Sequence, residues 1–261
     1  MAKNEVAKIN KSSIQSFFES EDIKQQMIAL LQENSTNFMV TVIDLVNGNT
    51  DLQACRPDLI YAEALKAASL KLPLARSLGY GYILPYKKGQ DVIPQFQMGY
   101  KGYIQLALRS GQYDVINADV VYEGELTRQD KLRGTFDLTG TAISDKVIGF
   151  FCYVEMKNGF KKTLYSTVEQ IKAHAKKYSK SYGTQYSPWT TSFDEMGIKT
   201  VLKAMLTKYG TLSVELEEAF NKDDHQDEIN DNANTIDIGF QNVTTEKTIT
   251  QPPVEKKKPA F

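Results

Sequence analysis

The sequence predicts an α+β protein in which a small antiparallel β-meander is backed by helices. Apolar residues recur with helical spacing through the first 70 residues and again after residue 167, whereas stretches of alternating polarity lie between these regions. The strand-like stretches follow one another through short turns, and one helix-like segment interrupts them. This order argues against a doubly wound parallel sheet, in which strands and helices alternate.

The N-terminal region is predicted to be helical. Ser20 is placed to cap a helix whose first turn is acidic. An apolar run over 38–46 predicts a second helix that stops at an Asn-Gly-Asn sequence. A third helix is expected to begin at Pro57, to continue through an alanine-rich stretch and to end before Pro73.

Two predicted hairpins supply the strands. The turn 87–90 separates the stretches 81–86 and 92–98, and Asn158-Gly159 connects a later strand to the one that follows it. The later strands are expected over 114–122, 147–156 and 160–166.

The stretch QFQMGYKGYIQLALRSGQY, residues 95–113, changes from strand-like alternation to helical spacing. Lys101, Gln105 and Arg109 recur at every fourth position of the predicted helix, which stops at Ser110-Gly111. The predicted helix therefore has a basic stripe beside its apolar face, with Gly99 and Gly102 near its start.

The C-terminal part is predicted as two helices followed by a disordered tail. Thr167 and Gln170 form a capping-box pattern, and a second amphipathic helix follows Trp189. From residue 221 the composition becomes rich in Asp and Asn and later in Pro and Lys, which is typical of disorder. The predicted divisions are a helical region 1–50, an α+β core 51–220 and an acidic tail 221–261.

Charge is unevenly distributed, although the net charge is -1. Residues 156–210 contain ten lysines and three acids, and residues 61–109 contain seven basic residues and two acids. Residues 221–261 contain five lysines and eight acids. This asymmetry indicates an anionic ligand for the body of the protein and a different role for its tail.

The sequence also predicts a soluble protein of a reducing compartment. Cys55 and Cys152 lie far apart without a disulfide spacing, the N-terminus lacks the apolar core of a signal peptide, and no stretch is long enough to span a bilayer.

Common enzyme motifs find little support. There is no phosphate-binding loop for ATP, Gly79-Tyr80-Gly81 lacks the rest of a dinucleotide fingerprint, and His174 and His225 are expected to be solvated. Asp58, Glu63 and Lys66 resemble the carboxylate-lysine set of metal-dependent nucleases. However, their spacing is helical, and a helix start with a solvated ion pair is the favoured interpretation.

The basic segments interleave lysines with aromatic residues, a combination that suits single-stranded nucleic acid. Phosphates attract the cations, and unpaired bases stack on the rings. For a single lysine the alternative is an ordinary surface charge, and for a single tyrosine it is core packing. The residues expected to contact DNA are Arg76, Lys87, Lys88, Tyr100, Lys101, Tyr103, Arg109, Lys161, Lys162, Lys176, Lys177, Trp189, Lys199 and Lys203.

Several blocks resemble the RecT/Bet family of phage single-strand annealing proteins, and the RecT branch in particular. They lie in order across residues 50–212: ASLKLPLARSLGYGYILPY, PQFQMGYKGYIQLALRSGQY, ADVVYEGE, YVEMKNG and SPWTTSFDEMGIKTVLKAM. The resemblance implies a small antiparallel sheet backed by helices and a phage or prophage recombinase without ATPase or nuclease activity. It also implies that the helix with Lys101, Gln105 and Arg109 lines a DNA groove, with Gly99 and Gly102 letting a sugar-phosphate chain approach closely.

The resemblance further implies binding of single-stranded DNA and of the nascent duplex in an oligomeric ring or helical filament, with oligomer contacts through the N-terminal region. It implies no required cofactor, with magnesium acting only through the DNA, and the cytoplasm of a bacterial host cell as the location. Expected partners are further copies of the chain and a phage exonuclease or a host single-strand binding protein. No interaction with a membrane is expected. Passive single-strand protection and, less favoured, a metal-dependent nuclease remain the alternatives.

Overall fold

The computed structural model describes residues 11–89, 91–179, 181–185, 187–211 and 216–220. Within these ranges the chain combines helices with antiparallel sheets, which confirms the predicted α+β class. The predicted tail, 221–261, lies outside the described residues.

The helices and strands alternate in blocks along the chain. The helices are α1 (Lys11–Phe18), α2 (Glu21–Leu31), α3 (Ser35–Asn47), α4 (Thr50–Gln53), α5 (Pro57–Ser69), α6 (Tyr100–Arg109), α7 (Val168–Tyr178), α8 (Pro188–Thr191) and α9 (Phe193–Tyr209). The strands are β1 (Gly81–Lys88), β2 (Asp91–Met98), β3 (Tyr113–Tyr122), β4 (Arg128–Asp130), β5 (Thr135–Asp137), β6 (Val147–Met156) and β7 (Lys161–Thr167).

The N-terminal helices follow the predicted order, with local differences at their ends. Ser20 occupies the cap position of α2, but its hydroxyl donates to the carbonyl of Phe17 instead of accepting a bond from the first turn of the helix. The short helix α4 was not predicted; the Asn49 side chain caps it by accepting from two backbone amides.

Strands β1 and β2 form a two-stranded hairpin of their own. Lys87 pairs with Val92 and Lys88 with Asp91, so both lysines belong to β1 and not to the predicted turn. On α5, the Glu63 carboxylate accepts the Phe96 backbone amide at 2.7 Å, which ties the hairpin to the N-terminal helices.

A second, three-stranded sheet has the order β3-β6-β7, with antiparallel neighbours throughout. The Asn158-Gly159 hairpin and the Thr167–Gln170 capping box are both confirmed. One face of β6 is buried and carries Phe150, Cys152 and Val154, as alternation along a strand requires.

A third, short hairpin of β4 and β5 was not predicted from the sequence. It lies between β3 and β6 in the chain, and β5 packs beside β7. Phe136 anchors the hairpin, with its ring centroid 5.4 Å from that of Tyr165.

Helix α9 packs against the three-stranded sheet and against α6 and α7. Its close approach to β6 depends on Gly197, where an added Cβ would lie 2.5 Å from the Phe150 ring. One hydrophobic cluster runs from Ile14 to Phe220 and includes residues on both sides of the predicted boundary at 50/51. The three-part division therefore stays a prediction.

Candidate nucleic-acid interface

The two glycines at the start of α6 hold protein backbone, not a ligand backbone. An added Cβ at Gly99 would overlap the carbonyl oxygen of Gly79, and one at Gly102 would overlap that of Tyr80. The Gly99 amide also donates to the Tyr80 carbonyl at 3.0 Å. The expectation that these glycines admit a sugar-phosphate chain was wrong, because residues 79–80 fill the space.

Lys101 and Tyr100 lie at the surface of this junction. Lys101 is exposed, and its ammonium is 5.9 Å from the centroid of the half-buried Tyr100 ring. Burial raises the pKa of Tyr82, and the nearby Glu195 and Tyr100 raise it further. The start of α6, the start of β1 and the first turn of α9 therefore meet here.

The Tyr103 prediction was wrong, since this side chain is fully buried and presents no ring to a base. Its ring stacks on Phe220 at a centroid distance of 5.2 Å and an interplanar angle of 25°. The Lys199 ammonium of α9 lies 6.0 Å from the same Tyr103 ring. Tyr103 of α6 therefore packs against both the segment 216–220 and a lysine of α9.

Arg109 is turned toward the end of α5. Its guanidinium donates to the carbonyl oxygens of Leu70 at 2.7 Å and Lys71 at 2.9 Å. These bonds satisfy carbonyls that the end of a helix leaves without partners. The geometry therefore gives Arg109 a role in the fold, and its contact with DNA stays a prediction.

The helices α7 and α9 bring positive charge together around His174. Burial is the main cause that lowers the His174 pKa from 6.5 to about 4, and Lys203 and Lys177 lower it further. The expectation of a solvated His174 was wrong, because the imidazole is half-buried with its centroid 4.7 Å from that of Tyr178. A pKa lowered by two lysines indicates a positive potential at this surface.

Lys199 and Lys203 lie one turn apart on α9 and connect these two sites, because the first is near α6 and the second near α7. We call the combined surface of Tyr100, Lys101, Lys177, Lys199 and Lys203 the α9 surface. The acid Glu195 lies at its edge.

Two further predicted residues lie on α7 and α8, which both pack against α9. Lys176 is exposed in the last turn of α7. Trp189 is half-buried with its centroid 6.2 Å from that of Phe193, and the Lys172 ammonium lies 5.9 Å from the Phe193 ring. An indole that is half-buried in this way keeps part of its surface for another ring.

The two lysines of β7 lie elsewhere and point in opposite directions. Lys161 forms a 2.6 Å ion pair with Glu155, which lowers the pKa of that carboxyl. Lys162 donates to the Arg133 carbonyl at 3.0 Å, and its ammonium is 5.6 Å from the Tyr209 ring at the end of α9. Adjacent residues of a strand point to opposite faces, which accounts for their different partners. Their contacts with DNA stay predictions.

Three predicted cations lie toward the β1–β2 hairpin. Arg76 is exposed in the segment before β1, and Lys87 is exposed on β1 itself. The backbone of Lys88 belongs to β1, whereas the position of its side chain lies outside the description. Their contacts with DNA stay predictions.

Comparison with known proteins decides the family. The RecT family model matches residues 36–236. The chain belongs to the RecT family. RecT membership makes this a protein of phage-type single-strand annealing and recombination.

Two relatives of the RecT-family chain span most of its length. The Uncharacterized protein YqaK of Bacillus subtilis strain 168 is 40% identical over 228 residues, which cover 87% of this chain and 77% of that protein. Protein RecT of Escherichia coli K12 is 27% identical over 237 residues, which cover 84% of this chain and 83% of that protein.

The nuclease-like residues of this RecT-family chain have structural partners. Asp58 is bound to Arg56 at 2.6 Å. The Glu63 carboxylate binds the Lys66 ammonium at 2.8 Å as well as the Phe96 amide. These contacts account for all three predicted residues as parts of α5 and its junction with β2.

Within the described ranges, His, Cys, Asp and Glu side chains do not gather in groups of three or more that could hold a metal ion. None of the helices in those ranges combines the length and apolar composition of a bilayer-spanning segment.

Sequence reasoning missed three features of the RecT-family site: the Tyr103–Phe220 stack, the half-buried His174 and the β4–β5 hairpin. The capping box that fixes the start of α7 gave a signal for the position of His174, because it sets which residues of α7 face α9. Nothing in the local pattern marked Phe220, whose partner lies more than 100 residues away.

Proposed function

We propose that this RecT-family protein pairs complementary DNA single strands without nucleotide hydrolysis, and that the α9 surface holds the first strand. The convergence of cations from α6, α7 and α9 supports this proposal most directly. Lys203 and Lys177 act in the same sense on His174, so their fields add. A phosphate chain is the anion that such an extended positive surface attracts.

The half-buried rings beside these cations suit unpaired bases. Tyr100 lies next to Lys101 on α6, and Trp189 lies next to Phe193 where α8 meets α9. Stacking of a base on an aromatic ring stabilises binding by ~1–3 kcal/mol without strong sequence preference. Cations and rings together would hold a strand with its pairing edges accessible, so that base pairing supplies the specificity.

The finer expectations belong to the same proposal. The protein acts as an oligomeric ring or filament that also retains the nascent duplex, in the cytoplasm of a bacterial cell. Magnesium affects it only through the DNA. A phage exonuclease or a host single-strand binding protein is its proposed partner.

Annealing of two complementary oligonucleotides that carry a donor and an acceptor fluorophore tests the proposal. We expect the full chain to accelerate pairing equally with and without ATP. A passive binding protein would bind each strand without accelerating their pairing, and a nuclease would shorten labelled DNA in the presence of magnesium. Either result would replace annealing as the function.

The α9 surface is tested by the double change Lys199→Gln and Lys203→Gln. Loss of two phosphate contacts should flatten the plot of log affinity against log salt by about 1.4, at ~0.7 per contact on single strands. The matched control changes Lys24 on α2 and Lys146, near Glu123, to Gln, which removes the same charge elsewhere. Equal slopes for both double variants would place the DNA outside the α9 surface.

A further inference from the structure

The β4–β5 hairpin ends in an exposed leucine between two cations. Leu132 is 96% exposed, far more than the other large apolar side chains of the described residues. Lys131 and Arg133 flank it and are also exposed, as is Arg128 on β4. An exposed apolar side chain is ordinary by itself, but this one lies in a turn between two exposed cations, of which Arg133 forms a long ion pair, 3.9 Å, with Asp130.

The tip is held in place by several polar contacts. Asp130 accepts the backbone amides of Leu132 and Arg133, each at 3.1 Å, and so closes the turn. The Lys162 ammonium of β7 donates to the Arg133 carbonyl at 3.0 Å. Gly134 follows with a φ of +61°, and an added Cβ there would collide with the end of the Lys162 side chain.

The base of the hairpin is fixed to the sheet as well. The Phe136 ring lies 5.4 Å from that of Tyr165, and the Thr127 amide donates to the Asp137 carbonyl at 2.9 Å. Leu132 is therefore presented by a preorganised turn, so that a partner would meet it with little further loss of backbone entropy.

The tip is separate from the α9 surface. Lys162, which holds the tip, lies beside Tyr209 at the last residue of α9. Along the helix axis, Tyr209 is about 9 Å from Lys203 and about 15 Å from Lys199, at 1.5 Å per residue. A strand bound at Lys199 and Lys203 would thus leave the tip accessible to a second strand.

We infer that the tip of the β4–β5 hairpin binds the second, unpaired DNA strand, with Lys131 and Arg133 on its phosphates and Leu132 against its bases. The inference rests on the proposed function. Exposed cations attract an anionic partner, and the apolar side chain between them favours one that also has apolar faces. Single-stranded DNA has both, and insertion between its bases avoids most of the unstacking cost that a duplex imposes.

The kinetic experiment compares Leu132→Ala with Ile143→Ala. Ile143 is 76% exposed and lies outside the hairpin, so it controls for the loss of an exposed apolar side chain. We expect Leu132→Ala, and separately Lys131→Gln with Arg133→Gln, to slow annealing by about tenfold, with first-strand affinity within about twofold of the unchanged protein. Ile143→Ala should anneal at the unchanged rate.

A binding experiment keeps the inference separate from annealing itself. In Leu132→Trp, a non-complementary strand added to the complex with the first strand should quench the new indole, whereas Ile143→Trp should not respond. Both changes retain the native Trp189, the one tryptophan of the chain, as a common background. Quenching without acceleration by the unchanged protein would retain the tip contact and reject the proposed function.

Three results would overturn the inference. One is annealing by Leu132→Ala at the rate of Ile143→Ala, with no quenching in Leu132→Trp. Another is an equal loss of first-strand affinity in the tip variants, which would make the tip part of the first-strand site. The third is a changed oligomer size without DNA, measured by light scattering, which would make the tip a contact between copies of the chain.

Discussion

Lys199 and Lys203 of α9 and Lys161 and Lys162 of β7 are two lysine pairs in different surroundings. The α9 pair lies beside a tyrosine ring and a half-buried imidazole. On β7, Lys161 is bound to a carboxylate and Lys162 to a backbone carbonyl. The Glu155 carboxylate offsets the charge of Lys161, whereas Lys203 and Lys177 both lower the pKa of His174. The groups in contact with an ammonium group therefore determine whether it is available to DNA more than the number of lysines nearby does.

The largest effect is expected from removal of the Phe220 ring, which stacks on the Tyr103 ring beside Lys199. A chain that ends at Ala219 loses the Phe220 ring, which is 8% exposed and stacked on Tyr103. Its free energy of unfolding should fall by about 3 kcal/mol, the lower end for removal of a buried phenylalanine. Denaturant unfolding measures this loss, and DNA affinity should weaken with it because Lys199 adjoins Tyr103. A chain that ends at Phe220 is the control; equal stability of the two would show that the stack supports nothing.

The pH dependence of the free energy of unfolding tests the surroundings of His174, between α7 and α9. Its pKa is lowered to about 4 in the folded protein, so the unfolded chain takes up the proton first as pH falls through 6.5. Stability should be constant in this respect above pH 6.5 and should fall between 6.5 and about 4, by about 3 kcal/mol at most. Unfolding curves at several pH values should show a smaller fall for His174→Gln. A fall of the same size in both proteins would assign the effect to other groups.

Arg109 and Lys101 share a helix but should differ in what they stabilise. Arg109→Ala removes two charge-assisted bonds to the end of α5, and we expect unfolding to become easier by about 1–2 kcal/mol, since the group is partly solvated. Lys101→Ala should leave stability within about 0.5 kcal/mol and flatten the salt dependence of DNA binding by about 0.7. Thermal unfolding and salt titrations measure the two effects. If Arg109→Ala changed only the salt dependence of DNA binding and Lys101→Ala changed only the stability, Arg109 would be assigned to DNA binding and Lys101 to the stability of the fold.

The smallest effect is expected for Lys161. Lys161→Gln breaks an exposed ion pair with Glu155 and should change neither the measured stability nor the salt dependence of DNA binding. Lys162→Gln should leave first-strand binding unchanged but slow annealing, because it releases the tip of the β4–β5 hairpin. Loss of first-strand affinity in either variant would remove the distinction between the lysines of β7 and those of α9.

Local signals predicted much of the secondary structure. The Thr167–Gln170 capping box and the Asn158-Gly159 turn act over a few residues, and both occur as expected. The β4–β5 hairpin was missed because its strands have three residues each, too few to show a period. It also depends on a long-range contact, that of Lys162 with Arg133.

The candidate site was only partly predictable. Lys101 is exposed on α6, as its place on the predicted helix implied, and its contact with DNA stays a prediction. Tyr103 has a pattern that suits either base stacking or core packing, and the arrival of Phe220 selects the core. Gly99 and Gly102 do permit close approach, but the approaching chain is the protein's own segment 79–80.

The sequence by itself determined the α+β class, most helix and strand positions, the segregation of charge and the family resemblance. Periodicity, caps and turns act between neighbours in the chain, so they can be read without coordinates. Only the tertiary structure decided which cations share the α9 surface, which are bound to oxygen atoms and which ring is buried. Those outcomes depend on residues such as Tyr103 and Phe220, or Lys162 and Arg133, which are distant in sequence and meet only when the chain packs.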